Sequence, residues 1–204
     1  MPAKEQDTEH KIKEAARQVF QEKGFSATKT RDIAQAADIN VALLNYYFRS
    51  KKKLFDIIMF ETLQSFFSGL VTVLNNDQST LKDKVAAIAN HYIDLLSENQ
   101  NMASFIINTV RDNPEEYITK IGLLDRAKES VFIKQFQEGM MKGEIPPLNP
   151  IHFMLNLLGL VVFPFIAQPM VLAITGLPQE SYIEMLQERK RLIPLWVETM
   201  LSIK

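Results

Sequence analysis

Thr30-Arg31-Asp32-Ile33-Ala34-Gln35-Ala36-Ala37-Asp38-Ile39-Asn40, followed by Val41-Ala42-Leu43-Leu44-Asn45-Tyr46-Tyr47-Phe48-Arg49-Ser50-Lys51-Lys52-Lys53-Leu54, carries the strongest local pattern in the chain. It predicts two short helices joined by a tight turn. The first spans about residues 29–37, with Thr28 as its cap and Ile33, Ala34 and Ala37 turned inward. Ala37-Asp38-Ile39-Asn40 forms the turn, because Asp tolerates a left-handed backbone and Asn is a favoured helix N-cap. The second helix spans about residues 41–48, and Ile39, Leu44 and Phe48 are its core contacts.

A longer helix precedes this pair. Ile12, Ala15, Ala16, Val19 and Phe20 repeat at the spacing of one helical face over residues 8–23, and Gly24 supplies a stop. A supporting helix and two short ones is the helix-turn-helix plan, whose second helix enters the DNA major groove. A packed corner of an ordinary helical bundle has the same helix lengths, so the residue chemistry must separate the two. Val41, Ala42, Asn45 and Tyr46 face outward and are followed by Arg49, Lys51, Lys52 and Lys53. That order is a base-reading surface followed by a phosphate-binding one.

The lysine run breaks a local rule. With Ser50 as cap, Lys51, Lys52 and Lys53 occupy the first turn of the next helix, where the dipole disfavours each cation by about 0.3–1 kcal/mol. Phosphate docked on the free N–H groups of that turn would supply the missing negative charge. The charge balance agrees: residues 1–53 carry 11 Lys+Arg against 7 Asp+Glu, and residues 54–204 carry 12 against 17. A basic head on an acidic body implies different partners for the two.

The remaining sequence predicts an all-α chain of about nine helices. A long helix covers residues 51–74. Thr80 and Asp83 form a capping box that opens a helix ending near Glu98, and residues 101–112 make a shorter apolar one. Asn113-Pro114 and Asn149-Pro150 are helix starts, the first leading to about Lys142 with a break near Gly122. Gly176-Leu177-Pro178 separates the last two helical stretches. The boundary between domains falls at residue 50, with a helix-turn-helix domain over 1–50 and a larger helical domain over 51–204.

Residues 145–179, 35 positions, contain no Asp, Glu, Lys or Arg. The length would span a bilayer. Pro164 and Pro169 interrupt it and His152, Asn156 and Gln168 dot it, so the expectation is a helix buried in a core or a subunit interface. With no cysteine, disulfides and thiolate metal sites are excluded. The N-terminus lacks a signal-peptide core, so the cytoplasm is expected. His10, His91 and His152 are too scattered for a metal site, and no phosphate loop or nucleophile elbow occurs. No catalytic residue, metal or cofactor is expected, and an enzyme finds no support; a helical small-molecule carrier or membrane-associated protein is the distant alternative to a DNA-binding regulator.

The stretch from Thr30 to Leu54, with Ala15-Ala16 and Phe20-x-x-x-Gly24-Phe25 upstream, resembles the DNA-binding region of the TetR family of bacterial transcriptional regulators. It departs at Asp38, where that family usually has glycine, and at Asn45, where an aromatic residue is common. The resemblance implies a homodimer on a palindromic operator, a repressor released by a small apolar or aromatic ligand. It implies that Tyr47 and Lys51 grip phosphates, that Thr28 or Thr30 adds a hydroxyl contact, and that Arg31 reaches a base edge or phosphate. Asn45 suits adenine and Val41 and Ala42 suit thymine methyls, so A·T pairs are expected in each half-site.

The same resemblance assigns the C-terminal helices to a dimer interface and a ligand cavity. Leu186, Ile193, Trp196, Val197 and Met200 are the expected interface contacts, with Pro194 kinking the last helix. Phe67, His91, Tyr92, Phe105, Asn108, Phe132, Phe136, Phe153 and Asn156 are the expected pocket residues, with Phe66, Ile106 and Leu157 beside them.

Overall fold

Capping chemistry sets where the helices of this chain begin. The computed structural model describes residues 3–122 and 129–202. Residues 123–128, inside the segment expected to continue toward Lys142, and Ile203 lie outside the described residues. Ten helices and no strand occur among the described residues: α1 (Ala3–Ala27), α2 (Thr30–Ala36), α3 (Val41–Phe48), α4 (Lys51–Asn75), α5 (Leu81–Glu98), α6 (Met102–Asp112), α7 (Pro114–Ile121), α8 (Val131–Met141), α9 (Pro150–Thr175) and α10 (Gln179–Ser202). The class is all-α. The Asn40 side chain accepts from Leu43 N–H at 2.8 Å, Ser50 Oγ from Lys53 N–H at 3.2 Å and Asn149 Oδ1 from Ile151 N–H at 2.9 Å. Thr80 and Asp83 form the expected reciprocal box, each side chain accepting from the other's backbone N–H.

Two compact units divide the chain: Met1–Ser65 with Phe105–Tyr117, and Phe66–Ser104 with Ile118–Lys204. In the first, Ile12, Ala16, Phe20, Ile33, Leu44 and Leu54 are fully buried, and Phe55 meets Phe20 edge-on at 5.0 Å. Arg17 and Lys13 of α1 both reach Glu61 of α4, with N···O distances of 2.8 Å, and Arg17 also donates to Thr62 Oγ1 at 3.0 Å. Burial alone would raise the Glu61 carboxyl, but the hydrogen bonds from Lys13 and Arg17 outweigh it and hold its pKa below the ordinary value.

The second unit is built on α5, α8, α9 and α10. Tyr92, Phe132, Phe136, Phe153, Leu157, Leu186, Ile193 and Val197 fill its core. Here the charge-free stretch departs from expectation. Pro164 and Pro169 do not interrupt α9, which runs through both as one helix. Pro164 lacks the N–H that Leu160 O would accept in a regular helix. Arg189 of α10 replaces it, donating Nη2 to Leu160 O at 2.8 Å, with its guanidinium over the Trp196 ring at 5.0 Å. Tyr182 Oη donates to Pro164 O at 2.8 Å, a second tie between the helices. Arg189→Met keeps the packing and orphans the carbonyl, so it should cost about 1–3 kcal/mol, read as a lowered Tm. An unchanged Tm would show that water satisfies Leu160 instead.

Nor is α9 buried on several sides. Ile151, Leu155, Phe163, Met170 and Ile174 project into solvent, each 56–76% exposed. By length and composition both α4 and α9 are long and apolar enough to cross a membrane.

Candidate nucleic-acid interface

The turn between α2 and α3 is closed by its own backbone. Ala37 ends α2, Asp38 takes φ 52°, Ile39 N–H donates to Ala34 O at 2.9 Å and Asp38 N–H to Gln35 O at 3.1 Å. These are the two hydrogen bonds of a Schellman cap, with Asp38 in the left-handed position usually held by glycine. Its side chain lies 98% exposed, free of steric conflict with the cap. Asn40 then starts α3, so turn and cap together fix how the second helix leaves the first.

Leu44 and Phe48 turn inward and are buried, whereas Ile39 is only half-buried. The opposite face of α3 presents Ala42, Asn45 and Tyr46 to solvent, with Val41 and Tyr47 half-buried beside them. The Tyr46 ring is 74% exposed and stands edge-on to Tyr47, centroids 5.4 Å apart. On α2, Arg31 is exposed and Thr30 half-exposed.

Thr28 is a correction on two counts. Lys29, not Thr28, caps α2: its backbone N–H donates to the Asp32 carboxylate at 2.9 Å, which holds the Asp32 pKa below the ordinary value. Thr28 itself is buried, and its hydroxyl donates to Gly24 O at 2.6 Å, so it has neither surface nor donor to offer a phosphate. Gly24, at φ 73°, is where α1 breaks and the chain turns toward α2.

The lysine run is the second correction. Lys51 is half-buried and its ammonium already donates to Phe25 O at 2.8 Å and Thr28 O at 2.7 Å, 4.2 Å above the Phe25 ring centroid. It ties the α1–α2 connection to the start of α4. Lys52 pairs with Asp56 one turn along α4, and that hydrogen bond raises the Lys52 pKa. Only Lys53 stands exposed with no ion pair among the described residues. The dipole conflict read from the sequence is thus relieved largely inside the protein. What the sequence did not disclose is the backbone of Arg49, which sits at φ 48° between α3 and α4, in a turn closed by Ser50 N–H donating to Phe48 O. A non-glycine residue there carries strain, and Arg49 is exposed beside Lys53. The exposed cations of the segment from Lys29 to Lys53 are therefore Lys29, Arg31, Arg49, Lys53 and the Asp56-paired Lys52.

Residues 12–58 match the family described as bacterial regulatory proteins, tetR family, a match that covers the whole of this helix-turn-helix unit from α1 into α4. Its DNA-binding region is of the tetR type. A probable HTH-type transcriptional regulator of Bacillus subtilis, YttP, is 27% identical over 94% of this chain and 93% of its own length. A TetR-family regulatory protein of Rhodococcus superposes with a TM-score of 0.71 at 20% identity, covering 97% of this chain and 98% of that one. FadR of Bacillus subtilis, solved in complex with stearoyl-CoA, has a TM-score of 0.62 at 19% identity over 90% and 96%. These likenesses assign a TetR-type fold and a helix-turn-helix transcriptional regulator rather than an enzyme.

The residues expected to form a TetR ligand pocket are placed unevenly. Phe132, Phe136 and Phe153 pack on one another with centroids 5.1–6.3 Å apart and are core. Tyr92 is buried with its hydroxyl on Phe66 O at 2.9 Å. Asn108 and Asn156 are exposed, and Phe105 lies in the first unit. His91 and Phe67 are half-buried. His91 alone keeps a buried nitrogen, Nε2, without a partner, and its ring lies so close to Gly69 that a Cβ there would stand 2.2 Å away. Of the expected interface contacts, Leu186, Ile193 and Val197 face the chain's own core; Trp196 is exposed and Met200 half-buried.

Proposed function

We propose that this regulator is a cytoplasmic repressor that grips a palindromic operator as a homodimer, through residues 1–50, and is released when a small apolar ligand binds within residues 51–204. The carrying observation is the outward face of α3, where Ala42, Asn45 and Tyr46 stand free beside exposed cations. A short helix with an apolar and amide surface for bases and flanking Arg and Lys for phosphates is what major-groove readout needs. Two such faces related by a two-fold axis read the two halves of a palindrome. The apolar stripe on α9 supports a second copy as the partner that brings them together. The stearoyl-CoA of the FadR neighbour supports an apolar ligand. Such a ligand acts only through its different affinity for the DNA-competent and incompetent states.

Asn45 is the base reader in this reading, with Arg31, Thr30, Arg49 and Lys53 on the backbone. Selection from random DNA should return half-sites with A·T pairs, and a gel shift should find such a site upstream of the protein's own gene. Asn45→Ala should cost about 1–3 kcal/mol and relax preference at one base pair. Half-sites of G·C pairs alone, or an even loss over all sequences, would overturn the assignment.

A further inference from the structure

A cleft of about 570 Å³ opens in the second unit between the start of α5, the end of α8 and the C-terminal part of α10. None of the nine expected pocket residues borders it. Two glycines shape one wall. Gly143, at φ 71°, ends α8 in a Schellman cap, with Glu144 N–H on Gly139 O at 2.9 Å and Gly143 N–H on Met140 O at 3.1 Å. The chain turns back so that Ile145 lies on Gly139, where a Cβ would stand 2.6 Å from Ile145 Cδ1. The Gly139-x-x-x-Gly143 spacing thus serves this fold-back, which brings Ile145 and Glu144 to the cleft.

Leu81, Val85, Ile145, Pro194, Val197 and Leu201 give it apolar walls. Its polar groups are mostly acceptors. Gln135 Nε2 donates to Ser79 O at 2.9 Å, a carbonyl that also receives Lys84 Nζ at 2.8 Å. That contact fixes the amide, because the flipped form would set oxygen against oxygen. Gln135 Oε1 is then left buried with no partner, an omission that costs stability unless a donor arrives. Lys82 is neutralised by Glu198, 2.8 Å away across the rim. Glu138, Lys142 and Glu144 complete the charged rim, and among the described residues neither glutamate has an ion-pair partner. The cleft therefore has an excess of negative charge, an orphaned acceptor and a greasy wall.

We propose that this cleft binds an amphipathic organic cation, an apolar body carrying a protonated amine with at least one N–H. The amine nitrogen answers the carboxylates and donates to Gln135 Oε1, while the apolar body covers Val85, Ile145 and Val197. A carboxylate or acyl phosphate meets one unpaired cation on the rim, Lys142, against two unpaired glutamates, so like charge prevails. A bare metal finds no cluster of three ligands among the described residues. The volume lies within the ordinary range for small-molecule sites.

Octylamine, octyltrimethylammonium and octanoate share one tail and differ at the head, and calorimetry on the intact protein separates them. Trp196, the single tryptophan, lies between Pro194 and Val197 in sequence and gives a second, fluorescent readout. Octylamine should bind saturably. Octyltrimethylammonium, charged but without an N–H, should bind roughly tenfold more weakly or worse, and octanoate should not bind. Glu138→Gln with Glu144→Gln should weaken octylamine by a similar factor, and Leu201→Trp should block it by filling the space. The glutamates are exposed, so the paired variant remains informative if the tryptophan variant misfolds. Octanoate binding as tightly as octylamine, no saturable amine binding, or amine binding indifferent to the paired variant would overturn the proposal. None of these readouts involves DNA, so the result stands apart from the operator-binding assignment.

Discussion

Glutamate at both Leu155 and Phe163 should leave the chain folded but monomeric and weaken binding to a full operator by about 10²–10⁴-fold. Both side chains project from α9 into solvent, about 60% exposed, so the new carboxylates meet water and cause no internal conflict. They lie on a stripe that steps Ile151, Leu155, Gly159, Phe163 along successive turns and continues through Met170 and Ile174. A helix of 26 residues without one charged side chain, exposing five large apolar ones, is a poor surface for a monomer. In the homodimer proposed above, a second copy would cover it by a two-fold contact in which the same stripe meets itself. Two glutamates per copy would then stand four together in an apolar seam, a desolvation cost that association cannot meet. Sedimentation equilibrium reads the mass and a gel shift the affinity; half-site binding should be nearly unchanged, because what is lost is the linkage of two sites. A dimer that survives both substitutions would place the interface elsewhere.

That stripe also marks where sequence reasoning stopped. Asn40, Ser50, Thr80 and Asn149 were legible as caps because a cap is a contact across three residues, and Asp38 was legible as a left-handed turn for the same reason. The face of α9 was not, since a helix apolar on every side has no periodicity to say which side is covered. On α10 the periodicity of Leu186, Ile193 and Val197 suits a subunit interface and an internal core equally well; they are the face that packs on their own core, and the exposed remainder includes Met185, Leu195 and Trp196. Pro164 looks like a break in the sequence because the donor that makes good its missing N–H, Arg189, lies 25 positions away. Of the aromatic residues expected at a pocket, Tyr92, Phe132, Phe136 and Phe153 are buried in the core, as bulky rings at helical spacing commonly are, and Phe67 is half-buried. The open cleft is lined by residues such as Gln135 and Ile145 that only a fold-back brings together.

Lys51 is the site where sequence and structure assign opposite consequences to one substitution. A lysine spent on phosphate would, on replacement by alanine, reduce the salt dependence of binding by about one counterion per contact and leave stability alone. The structure spends its ammonium on Phe25 O and Thr28 O and sets it over the Phe25 ring. These carbonyls belong to the connection that leads from Gly24 into α2, so Lys51 holds the entrance of the helix-turn-helix against the start of α4. Lys51→Ala should therefore lower the stability of the first unit by about 2–4 kcal/mol, since hydrogen bonds from a charged donor are lost and two carbonyls lose their partner. DNA binding should fall for all sequences together, with the slope of log affinity against log salt nearly unchanged, because the reading helix is displaced and no phosphate contact is removed. Lys53→Ala and Arg49→Ala should do the reverse: Tm nearly constant for Lys53, and each slope shallower by about 0.9 for every phosphate given up. Thermal melts beside salt titrations of the three variants separate the roles. If Lys51→Ala keeps its Tm and flattens the slope, the ammonium leaves its carbonyls for phosphate when DNA arrives, and the clamp seen here belongs to the free protein alone.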